Sequence, residues 1–173
     1  MSKKLIEVAL PLDAINRAAA REKSIRHGHP CTLHLWWSRK PLAACRAVLF
    51  AQLVDDPSAH PERFPTEEAQ AAERRRLFLL IEGLIRWEQS TNRDLMRQAR
   101  DEIMRYASGV PPPVLDAFCG GGSIPLEALR LGLPATGHDL NPVAALVTLA
   151  TIDLPARFAG LQPVHTADRK SVV

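Results

Sequence analysis

Cysteine is scarce in this sequence, and the three that occur, Cys31, Cys45 and Cys119, form an odd number without paired spacing. These features argue against a disulfide framework and fit a reducing compartment. No apolar run approaches the roughly 20 residues that a membrane-spanning helix needs. The short apolar segment at the N-terminus lacks a signal-peptide cleavage site. We therefore predict a cytoplasmic protein with no membrane partner.

Aromatic residues are also few, at 5%, whereas the hydrophobic share of 46% and the charged share of 24% are ordinary for a globular protein. The length of 173 residues suits one domain or two small ones. The net charge is +3, and the basic excess is concentrated in residues 17–46, where Glu22 is the single acid. Such a stretch suits a polyanion, although a solvated helix face is an equal alternative.

The chain divides into four segments. Residues 1–65 are predicted to form an N-terminal arm with a lid-like helix. That helix begins near Pro41, and its apolar face carries Leu42, Cys45, Leu49 and Leu53. Residues 66–109 predict a helical pair, with Thr66 and Asn92 as N-caps and the second helix ending near Ala107. The remaining segments are residues 110–167 and 168–173.

Residues 110–167 differ from the helical segments before them, because their pattern predicts strands that alternate with helices. The predicted elements are a strand at 114–118, a glycine loop at 120–122, a helix from the N-cap Ser123 to about Leu131, a strand at 135–138, and a helix from the N-cap Asn141 to about Ile152. This order is a βαβα unit with parallel strands. The predicted fold class is α/β: a helical region followed by the first βαβα unit of a Rossmann-like sheet, which is incomplete.

Residues 168–173 look foreign to the rest of the chain. Back-translated, they match a widely used sequencing adapter. We therefore expect that the natural reading frame was cut near Ala167 and that the chain is the front of a longer protein. Different codons in the nucleotide record would contradict this.

The strongest chemical pattern surrounds the glycine loop. Asp116 lies in the first strand ahead of the glycine loop, and Asp139 follows 23 residues later, near the separation of about 20 residues expected for an acid that binds a ribose. The dinucleotide pattern G-x-G-x-x-G fails because its last position is Pro125, and no Walker loop is present. Asp116 would repel a pyrophosphate but can accept hydrogen bonds from an ammonium group. These features favour S-adenosylmethionine as the cofactor.

Each group of that cofactor has a candidate partner. Asp116 would face the methionine amino group, the amides of Gly120 and Gly122 would take the methionine part, and Phe118 would lie near the sulfonium. Asp139 would bind the ribose hydroxyls. The alternative is a structural glycine turn in some other α/β protein.

These residues also carry a family resemblance. Asp116-x-Phe118-x-Gly120-x-Gly122 resembles motif I of the amino-methylating DNA methyltransferases, and Asp139-Leu140-Asn141-Pro142 resembles their ribose-binding motif. Residues 20–43 resemble a family of bacterial and archaeal adenine-specific DNA methylases that begin with a domain of unknown function and carry a zinc ribbon further on. The resemblance implies methylation of adenine N6 in DNA and places Asn141 among the cofactor residues.

A second part of the resemblance lies in the N-terminal arm. His29-Pro30 and Lys40-Pro41-Leu42 resemble two halves of a motif that closes over the methionine end of the cofactor. Here residues 31–39 separate the halves. The resemblance therefore implies a cofactor lid whose contacts depart from the family pattern.

The motif that activates the methyl acceptor is absent. The family uses Asp or Asn, then Pro-Pro and an aromatic residue, whereas the only adjacent prolines here are residues 111–113, followed by Val114. We therefore assign no catalytic residue and expect the chain to be inactive by itself. RNA methylation and a non-catalytic nucleic-acid-binding module remain as alternatives.

The basic stretch supplies the candidate DNA contacts, with cations for phosphates and tryptophans for base stacking. They are Arg21, Lys23, Arg26, Arg39, Trp36 and Trp37. At least one tryptophan is expected in the core instead. Arg74, Arg75 and Arg76 are expected on the solvated surface. His27, His29, Cys31 and His34 do not have the spacing of a zinc site, so no metal is predicted.

Overall fold

Helices make up most of the structure, a computed structural model that describes residues 2–107 and 109–162. The sheet has two parallel strands, which confirms the α/β class. The predicted adapter segment lies outside the described residues. The α-helices are α1 (Leu12–Glu22), α2 (Leu42–Leu53), α3 (Glu67–Leu84), α4 (Arg93–Met104), α5 (Ser123–Arg130) and α6 (Pro142–Phe158), and the strands are β1 (Val114–Asp116) and β2 (Ala135–Gly137). Short 3-10 helices lie at Leu5–Glu7, Pro30–Thr32, Pro57–Ala59 and Trp87–Gln89.

Helix α2 is the centre of the core, because α1, α3, α4 and α5 all pack against it. Leu42 and Cys45 are buried as predicted, but Leu49 and Leu53 are only half-buried. Near its C-terminal end, α2 buries Phe50 and Ala51 completely, and Leu49 and Leu53 pack against the core from the predicted stripe. A helix surrounded by neighbours thus buries further side chains beside a single apolar stripe.

Three of the predicted N-caps are confirmed. Thr66 Oγ1 accepts a hydrogen bond from Ala69 N–H at 3.2 Å, and Asn92 Oδ1 accepts from two backbone N–H groups at the start of α4. Asn141 Oδ1 accepts from Val143 N–H at 2.9 Å. Each side chain satisfies a donor that has no partner within its helix. The end of α4 differs from the prediction, since this helix stops at Met104.

The βαβ part has the predicted order with corrected boundaries. Both strands are shorter than expected and pair in register from Val114 with Ala135 to Asp116 with Gly137. Ser123 is not an N-cap. It is the first residue of α5, and its hydroxyl donates to the Lys40 carbonyl at 2.8 Å. Helix α6 runs six residues beyond its predicted end and contains Pro155.

Several arginines pair with buried carboxylates. Arg46, only 2% exposed, donates from Nε to Glu127 and from a terminal nitrogen to the Leu84 carbonyl. Arg74 forms two hydrogen bonds of 2.8 Å with the buried Asp56. Arg46, the last cation of the basic stretch 17–46, is therefore buried and is not available as a surface cation. Arg75 and Arg76 are exposed as expected, although Arg76 also pairs with Glu73 and with the buried Glu102. Arg74 is half-buried, which departs from the expected solvated position.

Among the described residues, no helix combines the length and the apolar character that crossing a membrane requires.

Candidate ligand-binding site

A cavity of about 420 Å³ opens where the two parallel strands end. Lys40, Asp116, Phe118, Gly120 and Asp139 line it, so five of the residues predicted to bind the cofactor lie around one space. Its volume falls within the range of small-molecule sites, and ligands of open α/β sheets bind outside the carboxyl ends of the strands. We call it the ligand cavity.

The Asp139 carboxylate connects the glycine loop to the start of α6 by accepting hydrogen bonds from both. Its Oδ1 accepts from Asn141 N–H at 2.9 Å, and its Oδ2 accepts from Gly120 N–H at 2.8 Å. The Asn141 N–H and then the Gly120 N–H lower the pKa of this carboxyl below its ordinary value. A carboxylate oxygen can accept more than one hydrogen bond. Asp139 is therefore an oriented, ionised acceptor that retains capacity for a ligand hydroxyl.

Asp116 and Phe118 occupy the edge of the cavity that follows β1. Asp116 Oδ1 accepts from Phe118 N–H at 3.1 Å, which fixes the turn between them. The Phe118 side chain is 80% exposed although it is aromatic. An exposed aromatic ring beside an oriented carboxylate offers a ligand both an apolar face and a hydrogen-bond acceptor.

The glycines of the loop are required by packing within the protein. Gly120 and Gly122 have φ of +52° and +77°, where other residues are strained. A Cβ at Gly120 would lie 2.8 Å from Trp36 Nε1, and one at Gly122 would lie 2.9 Å from Thr148 Oγ1. A ligand can therefore reach this loop through its backbone groups, while its Cα atoms face the protein's own side chains.

This packing predicts a specific cost for Gly122→Ala. A non-glycine residue in the left-handed region costs roughly 1–2 kcal/mol. The variant must also displace Thr148, so we expect its loss in free energy of unfolding to exceed that of Gly109→Ala. Gly109 is the matched control because its φ is +81° and a Cβ there would meet nothing within 4 Å. Equal losses in chemical denaturation would contradict the packing argument.

The N-terminal arm forms the opposite wall of the ligand cavity. Trp36 is 8% exposed and stacks on Trp37, which is 81% exposed, with 4.4 Å between ring centroids. Arg39 donates one hydrogen bond to the Gly121 carbonyl and another of 3.4 Å to the His34 carbonyl. The expectation of a core tryptophan is confirmed for Trp36. Arg39 and Trp36 contact the glycine loop, whereas Trp37 is the exposed member of the predicted stacking pair.

The remaining predicted residues lie in different surroundings. Lys40 lines the ligand cavity, whereas Pro41 precedes α2 as its N-cap residue. His29 lies outside this cavity and is buried against Trp87, with 4.9 Å between ring centroids. Pro30 begins the adjacent 3-10 helix. Of the predicted lid residues His29, Pro30, Lys40 and Pro41, the structure thus places Lys40 in the lining of the ligand cavity.

The predicted cationic contacts also differ in exposure. Lys23 and Arg26 are exposed, and Arg21 pairs with Glu88 across the surface. Among residues 2–107 and 109–162, no three or more His, Cys, Asp or Glu side chains are grouped to hold a metal ion.

Sequence comparison gives one match. Residues 9–80 are similar to the family described as "Protein of unknown function (DUF1156)". No curated protein matches the chain, and no solved structure matches it. The matched range contains α1, α2 and residues 36–40 of the cavity wall, and it agrees with the expectation of a domain of unknown function at the start of the chain. It assigns no activity.

Proposed function

We propose that this chain is the S-adenosylmethionine-binding part of a DNA methyltransferase that acts on adenine N6. The observation that carries the proposal is the convergence of Asp116, the glycine loop and Asp139 on one cavity at the ends of two parallel strands. We further propose that these strands are the first two of a Rossmann-like sheet. Both the resemblance in motif I and the strand order support this fold.

The groups that line the cavity fit this cofactor better than a dinucleotide. Two carboxylates, Asp116 and Asp139, would repel a pyrophosphate, but they can accept hydrogen bonds from an ammonium group and from ribose hydroxyls. The first N–H groups of α5 have no partners within the helix and favour a carboxylate. Phe118 and Trp37 offer exposed rings for an adenine or a sulfonium.

The role of these residues is to bind and orient. S-adenosylmethionine supplies a methyl group on a sulfonium, and in-line transfer of that group depends mainly on position. Asp116 would fix the amino-acid end and Asp139 the ribose, which together set the direction of the sulfonium. The motif that activates the acceptor amine is absent from this sequence, so the expected activity of the chain is binding.

Calorimetric titration tests the proposal, with S-adenosylmethionine, 5′-methylthioadenosine and NAD⁺ as ligands. We expect S-adenosylmethionine to bind best, because methylthioadenosine lacks the amino-acid end. Asp116→Asn should lower the affinity for S-adenosylmethionine roughly tenfold, the effect of about one charged hydrogen bond, and leave methylthioadenosine unaffected. Asp101→Asn, on the exposed face of α4, is the control with the same charge change. Preferential binding of NAD⁺ would overturn the assignment.

A non-catalytic nucleic-acid-binding module is the second candidate. It is favoured by the exposed ring of Trp37 and by the exposed cations Lys23 and Arg26. DNA binding with a steep salt dependence, in a protein that binds none of the adenosine ligands, would support this alternative.

A further inference from the structure

A second cavity, of about 280 Å³, lies between the C-terminal end of α1 and the segment that leads into α2. Trp36 and Lys40 line both this space and the ligand cavity, so the two are adjacent. Its lining also includes Lys23, Arg26 and Arg39, which gives it four cationic side chains. We call it the basic cavity.

The acid in the lining of the basic cavity does not neutralise these cations by direct pairing. Glu22 is buried, and its two oxygens accept from Leu42 N–H at 2.8 Å and Ala43 N–H at 2.6 Å. It therefore serves the N-terminus of α2. Within the part of the chain that the structure describes, neither Lys23 nor Lys40 forms an ion pair. The basic cavity thus presents an excess of positive charge.

Two buried donors in the same lining lack partners. His29 is 4% exposed, and its Nδ1 accepts from Cys31 N–H at 3.2 Å, so the ring proton of the neutral form belongs on Nε2. Burial lowers the pKa of His29, which favours that neutral form. Among the described residues, His29 Nε2 and Arg39 Nε have no hydrogen-bond acceptor, and the nearest carboxylate oxygen, Oε2 of Glu22, lies 3.6 Å from His29 Nε2.

Buried donors without acceptors are uncommon, and each carries a desolvation cost that an acceptor would offset. Four cations, one of which (Arg39) carries a free buried donor, together with the free donor of His29, call for a ligand with several anionic oxygens. The shared wall with the ligand cavity places that anion close to the bound cofactor. A DNA strand that delivers a base to the ligand cavity must carry phosphates on both sides of the base.

We propose that the basic cavity binds a backbone phosphate of the DNA substrate, next to the nucleotide whose base is presented to the cofactor at the opening of the ligand cavity. The inference rests on the proposed function, because it takes DNA as the substrate. It assigns Lys23, Arg26 and Arg39 to one phosphate site, whereas the sequence offered them as separate contacts along a basic stretch.

The test measures binding of a fluorescently labelled DNA duplex to the full chain by anisotropy over a series of salt concentrations. The double variant Lys23→Gln/Arg26→Gln should lose roughly tenfold in affinity, and its salt slope should fall by about 2, since two phosphate contacts are removed. Arg93→Gln/Arg97→Gln, on the exposed surface of α4, is the control with the same change in net charge. Calorimetry with S-adenosylmethionine on the same variants should show unchanged affinity.

Each outcome separates the two proposals. Equal losses in the two double variants, or no loss in either, would overturn the phosphate site whatever the cofactor result. Specific loss of DNA binding in a chain that does not bind S-adenosylmethionine would support the site and overturn the proposed cofactor. Displacement of DNA by micromolar inorganic phosphate at constant ionic strength would indicate a free-phosphate site and overturn DNA as the ligand.

Discussion

Replacing Arg46 with methionine is expected to lower the free energy of unfolding by about 3–5 kcal/mol, the usual cost of breaking a buried ion pair from one side. Arg46 and Glu127 are both buried and join α2 to α5. The variant would leave the Leu84 carbonyl without this donor and Glu127 with Arg130 as its remaining cation. The measurement is urea denaturation followed by circular dichroism.

Two further variants sharpen this experiment. Arg97→Met removes an exposed partner of Asp94, and we expect it to cost less than about 1 kcal/mol, as exposed pairs do. The double variant Arg46→Met/Glu127→Met removes both buried charges and should recover part of the loss, because no buried carboxylate is then left with only one of its two cationic partners. If Arg46→Met and Arg97→Met were equally stable, the buried pair would not be what joins these helices.

Asp139→Ala is expected to weaken S-adenosylmethionine binding roughly 100-fold, because one change removes two kinds of charge-assisted hydrogen bond. The ligand loses its ribose acceptor, and Gly120 N–H and Asn141 N–H lose the carboxylate that orients the loop. Calorimetric titration measures the affinity. Circular dichroism and the unfolding midpoint establish that the variant is folded.

Asp153→Ala is the matched control for this second experiment. Asp153 lies on α6 and forms an exposed pair with Arg157, so its removal makes the same charge change away from the ligand cavity. We expect its affinity for S-adenosylmethionine to equal that of the unchanged protein. An Asp139→Ala protein that binds as tightly as this control would show that Asp139 only shapes the loop.

The sequence predicted those features that depend on neighbours within a few residues. Thr66, Asn92 and Asn141 are caps whose donors lie two or three positions away. The parallel strands followed from the predicted order of a strand, a glycine loop, a helix and a second strand. The convergence of Asp116 and Asp139 also followed, because parallel strands place their carboxyl ends at the same edge of a sheet.

Long-range contacts gave no comparable signal. Arg39 bonds to the Gly121 carbonyl, and Arg46 to Glu127, across some 80 positions of the chain. Nothing near either arginine in the sequence distinguishes it from a solvated cation, so the sequence predicts a basic stretch that includes both. The sequence pattern explains Gly120 and Gly122 by a ligand, whereas in the structure Trp36 and Thr148 occupy the space in which their Cβ atoms would lie.

Three contacts link the N-terminal arm and α2 to the glycine loop and α5, and they bear on whether part of this chain can be moved to another protein. Arg39 donates a hydrogen bond to the Gly121 carbonyl, the Ser123 hydroxyl donates to the Lys40 carbonyl, and Arg46 on α2 pairs with Glu127 on α5. Residues 9–80, the range that matches a family, therefore depend on contacts with residues outside that range. Grafting the range onto another α/β core would leave these contacts without partners, so we expect such a graft to be less stable than one that also carries the glycine loop and α5.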